Sequence, residues 1–419
     1  MDIMVVPKPI FNVAKAVQGY YLSFQIGNAL LEVARTHVAD ASVGSIFFDF
    51  VNKIGLDALT MNQMIFIPVT DIHLATELEN NCFVDPFKVV FLLNRKNNLS
   101  EQTLIRVKRF KEMGFRIAFF DFHNLNDLSP FLPYTDYIFC EHKLPVLTSV
   151  IKFLKANRAS AKLIVKDVDT DEIFNSISSV GGNYFEGHFY KTPVINKNNP
   201  LSPLQVNYMQ LLNQVNQEDF DLGKFSTVVQ KDPALTIRFL QMVNSSYARS
   251  HKIKSLRHAA AMIGQTEIKR WIISAVASSM NQEKPDEVSR LSLIRARFCE
   301  NIAGLFELGV HKENLYLMGL FSVLDVILDT TIEKALEMVF VPDKIKEALI
   351  SEANEFGEVY RFVKLYEQGL WTEVSRIAVI RNILVRDIFG AYYEALTWYA
   401  QIVNMTFDDE GDEGDEFIE

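Results

Sequence analysis

The sequence predicts two folds in one chain: a short (β/α)8 barrel over residues 1–195 and an all-α domain over residues 204–405. Three observations predict this. The first half alternates short apolar runs with helical stretches, the pattern of parallel strands buried on both faces. The polar segment 196–203, Asn196 to Pro203 with two prolines, interrupts that rhythm and reads as a linker. Beyond it the strand signal stops and only helical spacing continues. A chain of 419 residues is also too long for one ordinary core.

The predicted strands are Tyr20–Phe24, Ile46–Phe50, Met64–Val69, Val89–Leu93, Ile117–Phe122, Tyr137–Cys140, Leu163–Val165 and Tyr184–Phe189. Their β-branched and aromatic content suits buried strands. Ser100 is placed to cap a helix that presents Leu104, Val107 and Phe110, with Gly114 as its stop. A second helix carries Leu147, Val150, Ile151 and Leu154 on one face. Thr170 opens a third, with Ile173, Ile177 and Val180 expected inward and Gly181-Gly182 ending it. Such a barrel usually takes about 250 residues, so some of its helices are expected to be trimmed.

In the second half, Asp232-Pro233 is an N-cap followed by proline in the first turn. The helix it opens carries Leu235, Phe239, Leu240 and Val243 towards Asn244. Another runs from Ser255 to Gly264, and helical patterns continue through Leu291–Leu308, Leu315–Leu328 and on to Val403.

Hydrophobic residues make up 49% and charged residues 22%, the balance of a folded soluble protein. The net charge of −10 is concentrated at the end: 408–419 holds eight acids and no Lys or Arg, leaving −2 for the rest. Residues 406–419 therefore read as an acidic disordered tail. Cys82, Cys140 and Cys299 lack metal-ligand spacing and read as reduced, mostly buried thiols. With no apolar run long enough to span a bilayer and no basic-then-apolar leader, the expected location is cytoplasmic, away from any membrane.

Two families are brought to mind by particular motifs. Tyr184-Phe185-Glu186-Gly187-His188-Phe189-Tyr190-Lys191-Thr192-Pro193 resembles the closing motif of EAL domains, which hydrolyse the second messenger cyclic di-GMP. Phe115–Phe122 looks like the strand that carries their paired aspartates, and Leu163–Thr170 like their strand with a glutamate. Lys231-Asp232-Pro233-Ala234-Leu235, Val243-Asn244-Ser245-Ser246, Ile253–Ala259 and Ile263-Gly264 resemble HDOD domains in order and spacing. Within that motif Asp232, Pro233, Asn244, Ser245 and Gly264 are read as structural. The resemblance implies a two-domain EAL–HDOD bacterial signalling protein.

Laid on the EAL pattern without gaps, the signature glutamate falls on Tyr21 and the asparagine ligand on Asp49. The next glutamate falls on Leu92, and the paired aspartates on Phe120 and Asp121. The lysine falls on Phe139, with Glu141 where an aspartate is usual; the remaining glutamate falls on Lys166 and the closing glutamine on Glu186. Phe and Leu offer a metal no lone pair, so the resemblance implies a degenerate site with no metal, no catalytic residue and no cofactor. Metal-dependent relatives of HDOD domains need a His-Asp doublet, and Ser322-Val323 stand there.

The expectation drawn from this is a regulator that is not an enzyme. Its HDOD domain would bind a protein partner, and its barrel would serve as scaffold or receiver; whether the barrel binds a nucleotide without cutting it is left open by the sequence. Two alternatives stand beside it. One is a nucleic-acid binder through a helix-turn-helix-like segment at 256–275, against which the near-neutral bulk charge weighs. The other is a cyclic di-GMP phosphodiesterase.

Overall fold

In the computed structural model the described residues are 3–26, 63–69, 85–94, 97–120, 124–194, 286–339 and 341–407, with isolated positions elsewhere. Linker 196–203, strand Ile46–Phe50, Asp49, Asp121, Cys82, the HDOD motif residues, nearly all of 256–275 and the tail 408–419 lie outside them.

Eight strands among the described residues close a barrel in chain order: β1 (Ile3–Asn12), β2 (Val17–Ile26), β3 (Met64–Pro68), β4 (Val89–Asn94), β5 (Arg116–Phe120), β6 (Tyr137–Glu141), β7 (Lys162–Lys166) and β8 (Tyr184–Glu186). From β2 to β8 each neighbour is parallel, while β1 runs antiparallel to both β2 and β8. The ring passes directly from β2 to β3. The strand absent from the sequence reading is β1, which contains two prolines.

Proline lacks the N–H that a ladder needs, so Pro7 and Pro9 argue against a strand. The structure resolves the conflict through strand parity. Val5 turns both its N–H and its carbonyl away from β2, towards the Tyr366 hydroxyl. Pro7 and Pro9 share that parity, so the donors they lack would point away from the β1–β2 ladder. β1 keeps its pairing with β2 from Ile3 to Phe11, and meets β8 only at Ile10–Asn12.

Three of the described helices follow the parallel strands in sequence. In α1 (Glu101–Glu112), Ser100 accepts from the Thr103 N–H, and Val107 and Phe110 are buried. In α2 (Leu144–Ala156), Leu147, Val150 and Leu154 are buried. In α3 (Asp171–Val180), Thr170 caps the start and Gly181, with φ at 113°, ends it in the left-handed region. Its buried residues are Phe174 and Ile177; Val180, expected inward, is 43% exposed because it sits in the last turn.

The described helices after residue 285 are α4 (Asp286–Asn301), α5 (Lys312–Phe321), α6 (Leu324–Leu328), α7 (Ile332–Glu337), α8 (Asp343–Ser351), α9 (Asn354–Gln368), α10 (Trp371–Ile380) and α11 (Val385–Phe407). The chain divides into two compact units, one of Met1–Thr192 with Lys364–Gly390, the other of Pro193–Val363 with Ala391–Glu419. Lys364–Gly390, which the sequence reading places in the helical half, thus cluster with the barrel. Tyr366 shows how. Fully buried, its hydroxyl donates to the Val5 carbonyl at 3.1 Å and accepts from the Val5 N–H at 3.3 Å, completing the edge of β1 that faces away from β2 and that β8 meets only at Ile10–Asn12.

In the second unit α4 and α5 pack with almost no space between their backbones. A Cβ on Gly319 would come within 2.6 Å of the Ala296 Cα and the Arg295 carbonyl. The Ser292 hydroxyl donates to the Leu320 carbonyl at 2.8 Å, and Phe298 packs edge-on against Tyr392. Cys140 and Cys299 are buried thiols. No described helix is long and apolar enough to cross a membrane.

Candidate functional site

The closed barrel brings the strand ends into one mouth. An interior cluster contains Leu92, Phe139, Phe66 and Ile164, with Tyr21 and Phe120 packed against it. Tyr21 and Phe120 stack at 5.8 Å with 11° between their planes, and Phe139 leans on both at 6.2 and 5.3 Å. Four of the residues singled out from the sequence therefore form one aromatic and aliphatic floor.

Around it the last residues of the strands supply charge. Lys166 ends β7, with its ammonium 4.7 Å from the Phe120 ring centre and 3.8 Å from Asp167. Glu186 ends β8, where burial, the largest influence, pushes its carboxyl above the usual range. Burial and the nearby Glu186 push the Tyr21 hydroxyl up to about 12. Glu141 ends β6 and is tied at 2.9 Å to Lys143, whose hydrogen bond holds its carboxyl below the ordinary value. Between the β5–β6 wall and α2 lies a cavity of about 180 Å³ lined by Phe119, Ile138, Cys140, Val146 and Val150, with Glu141 and Lys166 also in its lining. Burial, reinforced by Glu141, pushes the Cys140 thiol there up to about 12, so it stays protonated.

Sequence reasoning passed over three mouth residues. Lys8 stands directly opposite Tyr21 in the β1–β2 register, and opposed residues of an antiparallel pair share a face. His188 and Asp169 come from the loops after β8 and β7. The His188 Nδ1 lies 3.1 Å from an Asp169 oxygen that also accepts from the His188 N–H. Gly187, with φ at 151°, allows this approach, since a Cβ there would meet the Val168 carbonyl at 2.2 Å. The signal that could have found Lys8 was a cation in an otherwise apolar N-terminal run.

In the helical half, Ser322 and Val323 are both buried, and the Ser322 hydroxyl accepts from Arg295 at 2.7 Å. That place is a packed interior.

A closed barrel with a charged, aromatic mouth, followed by a helical region, defines a two-domain protein of the barrel-plus-helical class. The HDOD domain family matches residues 201–354. A Vibrio cholerae protein named cyclic di-GMP phosphodiesterase CdgJ is 30% identical over 300 residues, covering 71% of this chain and 69% of its own. The uncharacterized YuxH of Bacillus subtilis is 25% identical over 419 residues, covering 95% of this chain and 98% of its own. The chain belongs to the EAL–HDOD family. Among solved structures, the PaMucR phosphodiesterase in complex with c-di-GMP is 12% identical with a TM-score of 0.38, covering 45% of this chain and 95% of that one. Klebsiella pneumoniae BlrP1 is 16% identical with a TM-score of 0.38, covering 46% and 56%.

The expectation that the chain is not an enzyme is overturned by the CdgJ relationship, since that relative is named a phosphodiesterase. The physical reason lies in the mouth. Comparing strand positions one by one counts lost ligands but says nothing of groups brought in by loops or by an antiparallel strand. Lys8, Asp167, Asp169 and His188 are such groups, and the mouth is not the purely apolar surface that Leu92, Phe120 and Phe139 suggested.

Proposed function

We propose that this protein acts in cyclic di-GMP signalling and meets the nucleotide at the carboxyl-terminal mouth of its barrel, with hydrolysis as the reaction its relationship brings to that mouth. The observation that carries this is the 30% identity over 300 residues with CdgJ. Barrels of this kind support the placement, because their chemistry sits at the carboxyl-terminal ends of the strands. The mouth also gathers an aromatic cluster of Tyr21, Phe120 and Phe139 with the Lys166 ammonium over the Phe120 ring, which brings positive charge to the place where a phosphate would sit. The HDOD half is proposed as the module that passes the barrel's state to a protein partner.

The family implies divalent metal ions. The described donors do not fit them well: Glu141 is engaged by Lys143, Asp167 lies beside Lys166, Asp169 is held by His188, and burial disfavours charge on Glu186. Among the described residues no group of three or more His, Cys, Asp or Glu is placed to hold a metal, and hard cations take several oxygens. Asp49 and Asp121 lie outside the described residues.

The test is to incubate the purified full-length protein with cyclic di-GMP and Mg²⁺ or Mn²⁺, following the linear product by chromatography and binding by calorimetry. Bound or linearised nucleotide supports the reading. Neither binding nor turnover at any metal concentration refutes it.

A further inference from the structure

We infer that the cavity between the β5–β6 wall and α2 is a binding site for a small uncharged aromatic molecule carrying one O–H or N–H donor. Neither Tyr21 nor Phe120 lines it, and the inference stands independently of the nucleotide reading.

The cavity follows from how three segments meet. On β6, Ile138 and Cys140 are two apart and share the face turned away from the barrel interior, into which Phe139 points. Val146 and Val150 stand one turn apart on α2 and line the cavity from the helix. From β5 comes Phe119, and the segment after β5 adds Phe122 and Leu125. These walls do not collapse freely. Ile138 is held in the β6–β7 ladder opposite Leu163, and Phe119 packs edge-on against Phe122 at 5.5 Å and Phe131 at 5.6 Å. The space left is about 180 Å³, whereas packed interiors hold few voids larger than a water molecule.

Size and lining name the ligand. An engineered apolar cavity of about 150 Å³ stays dry and takes benzene, so this one admits a single ring with a small substituent. It is too small for the ligands that fill pockets of roughly 300–1,000 Å³. Phe119, Phe122 and Phe139 offer ring faces and edges, with which an aromatic ring packs well. The polar lining sits where Glu141 and Lys166 end their strands. Their neighbours balance them: Glu141 binds Lys143 at 2.9 Å, and Lys166 lies 3.8 Å from Asp167. Two cations against two anions give a charged ligand no net attraction, which selects an uncharged one. The Lys143 contact uses one Glu141 oxygen, and a carboxylate has lone pairs for further donors. A ligand O–H or N–H therefore donates to Glu141 while the ring fills the apolar part. Val146, 40% exposed, marks the entrance.

The experiment titrates phenol into the full-length protein by calorimetry, with toluene and benzoate as comparisons. Phenol is expected to bind saturably at one site per chain, and benzoate not measurably. Toluene should bind about tenfold more weakly than phenol, for want of the hydrogen bond to a charged group. Val150→Phe fills the cavity and Val146→Trp closes its entrance; both should abolish phenol binding while circular dichroism shows the fold retained. Val146→Trp, at a partly exposed position, keeps the test decisive if Val150→Phe does not fold. Glu141→Ala should lower phenol to the affinity of toluene and leave toluene unchanged. No saturable phenol binding, or phenol binding that Val146→Trp leaves unchanged, overturns the inference. So does benzoate or toluene binding as tightly as phenol, because the ligand would then not be an uncharged hydrogen-bond donor.

Discussion

The Tyr366 hydroxyl offers the sharpest perturbation in the barrel unit. Tyr366→Phe keeps the ring, which packs edge-on against Trp371 at 5.3 Å, and removes only the oxygen that serves both polar groups of Val5. Val5 is fully buried. The substitution therefore strands one donor and one acceptor, each costing roughly 1–3 kcal/mol when left without a partner. Taking the lower end for both gives about 2 kcal/mol, which is about thirtyfold in a local opening equilibrium. The assay is hydrogen–deuterium exchange read by mass spectrometry on peptides covering Ile3–Asn12, where exchange follows local opening. Peptides from α5 serve as the internal control and should not change. Exchange of the β1 peptide within twofold of wild type would refute the idea that Tyr366 completes this strand edge.

Three further predictions follow from named contacts. Gly319→Ala should cost about 1–3 kcal/mol, seen as a lower urea midpoint, because the new methyl group meets the α4 backbone; unchanged stability would show that α4 and α5 separate freely. Glu186 has a raised pKa, so the stability it contributes is complete below the unfolded-state pKa and is lost as pH rises through the folded one. Glu186→Gln, a permanent mimic of the neutral form, should then gain stability relative to wild type as pH rises, and equal pH profiles would contradict this. The His188 pKa is lowered, first by burial and then by Lys191, against the opposing pull of Asp169. Its imidazole resonance should titrate below the ordinary value of 6.5, and stability should fall as acid pH protonates it; titration above that value would contradict the placement.

The parallel strands were legible because runs such as Val89–Leu93 and Leu163–Val165 are buried on both sides and need no polar face. Helix ends were legible for a local reason: Ser100, Thr170 and Gly181 act on backbone within three or four residues of themselves. β1 was not legible, since the tolerance of Pro7 and Pro9 depends on which edge their nitrogens face, and that is set by partners far along the chain. The same limit applied to the site. Tyr21, Leu92, Phe120 and Phe139 were identified as a set because each lies on a strand whose register the pattern fixed. Lys8, Asp169 and His188 reach the mouth through an antiparallel strand and two loops, which a gapless overlay treats as filler. The helical periodicity that runs on to Val403 did not show that Lys364–Gly390 cluster with the barrel, or that Tyr366 meets Val5 at the start of the chain.

The bond between Val5 and Tyr366 joins residues 361 positions apart. On a ribosome adding about 5–20 residues per second, the first strand emerges some 20–70 s before the side chain that completes it. During that interval Ile3–Val6, all buried in the finished protein, present an incomplete edge to the surrounding medium. Synthesis therefore imposes a waiting period on the barrel, and that period ends only when nearly the whole polypeptide has been made. A truncated product that stops before residue 364 never leaves it, so premature termination should expose a sticky strand rather than release a finished half.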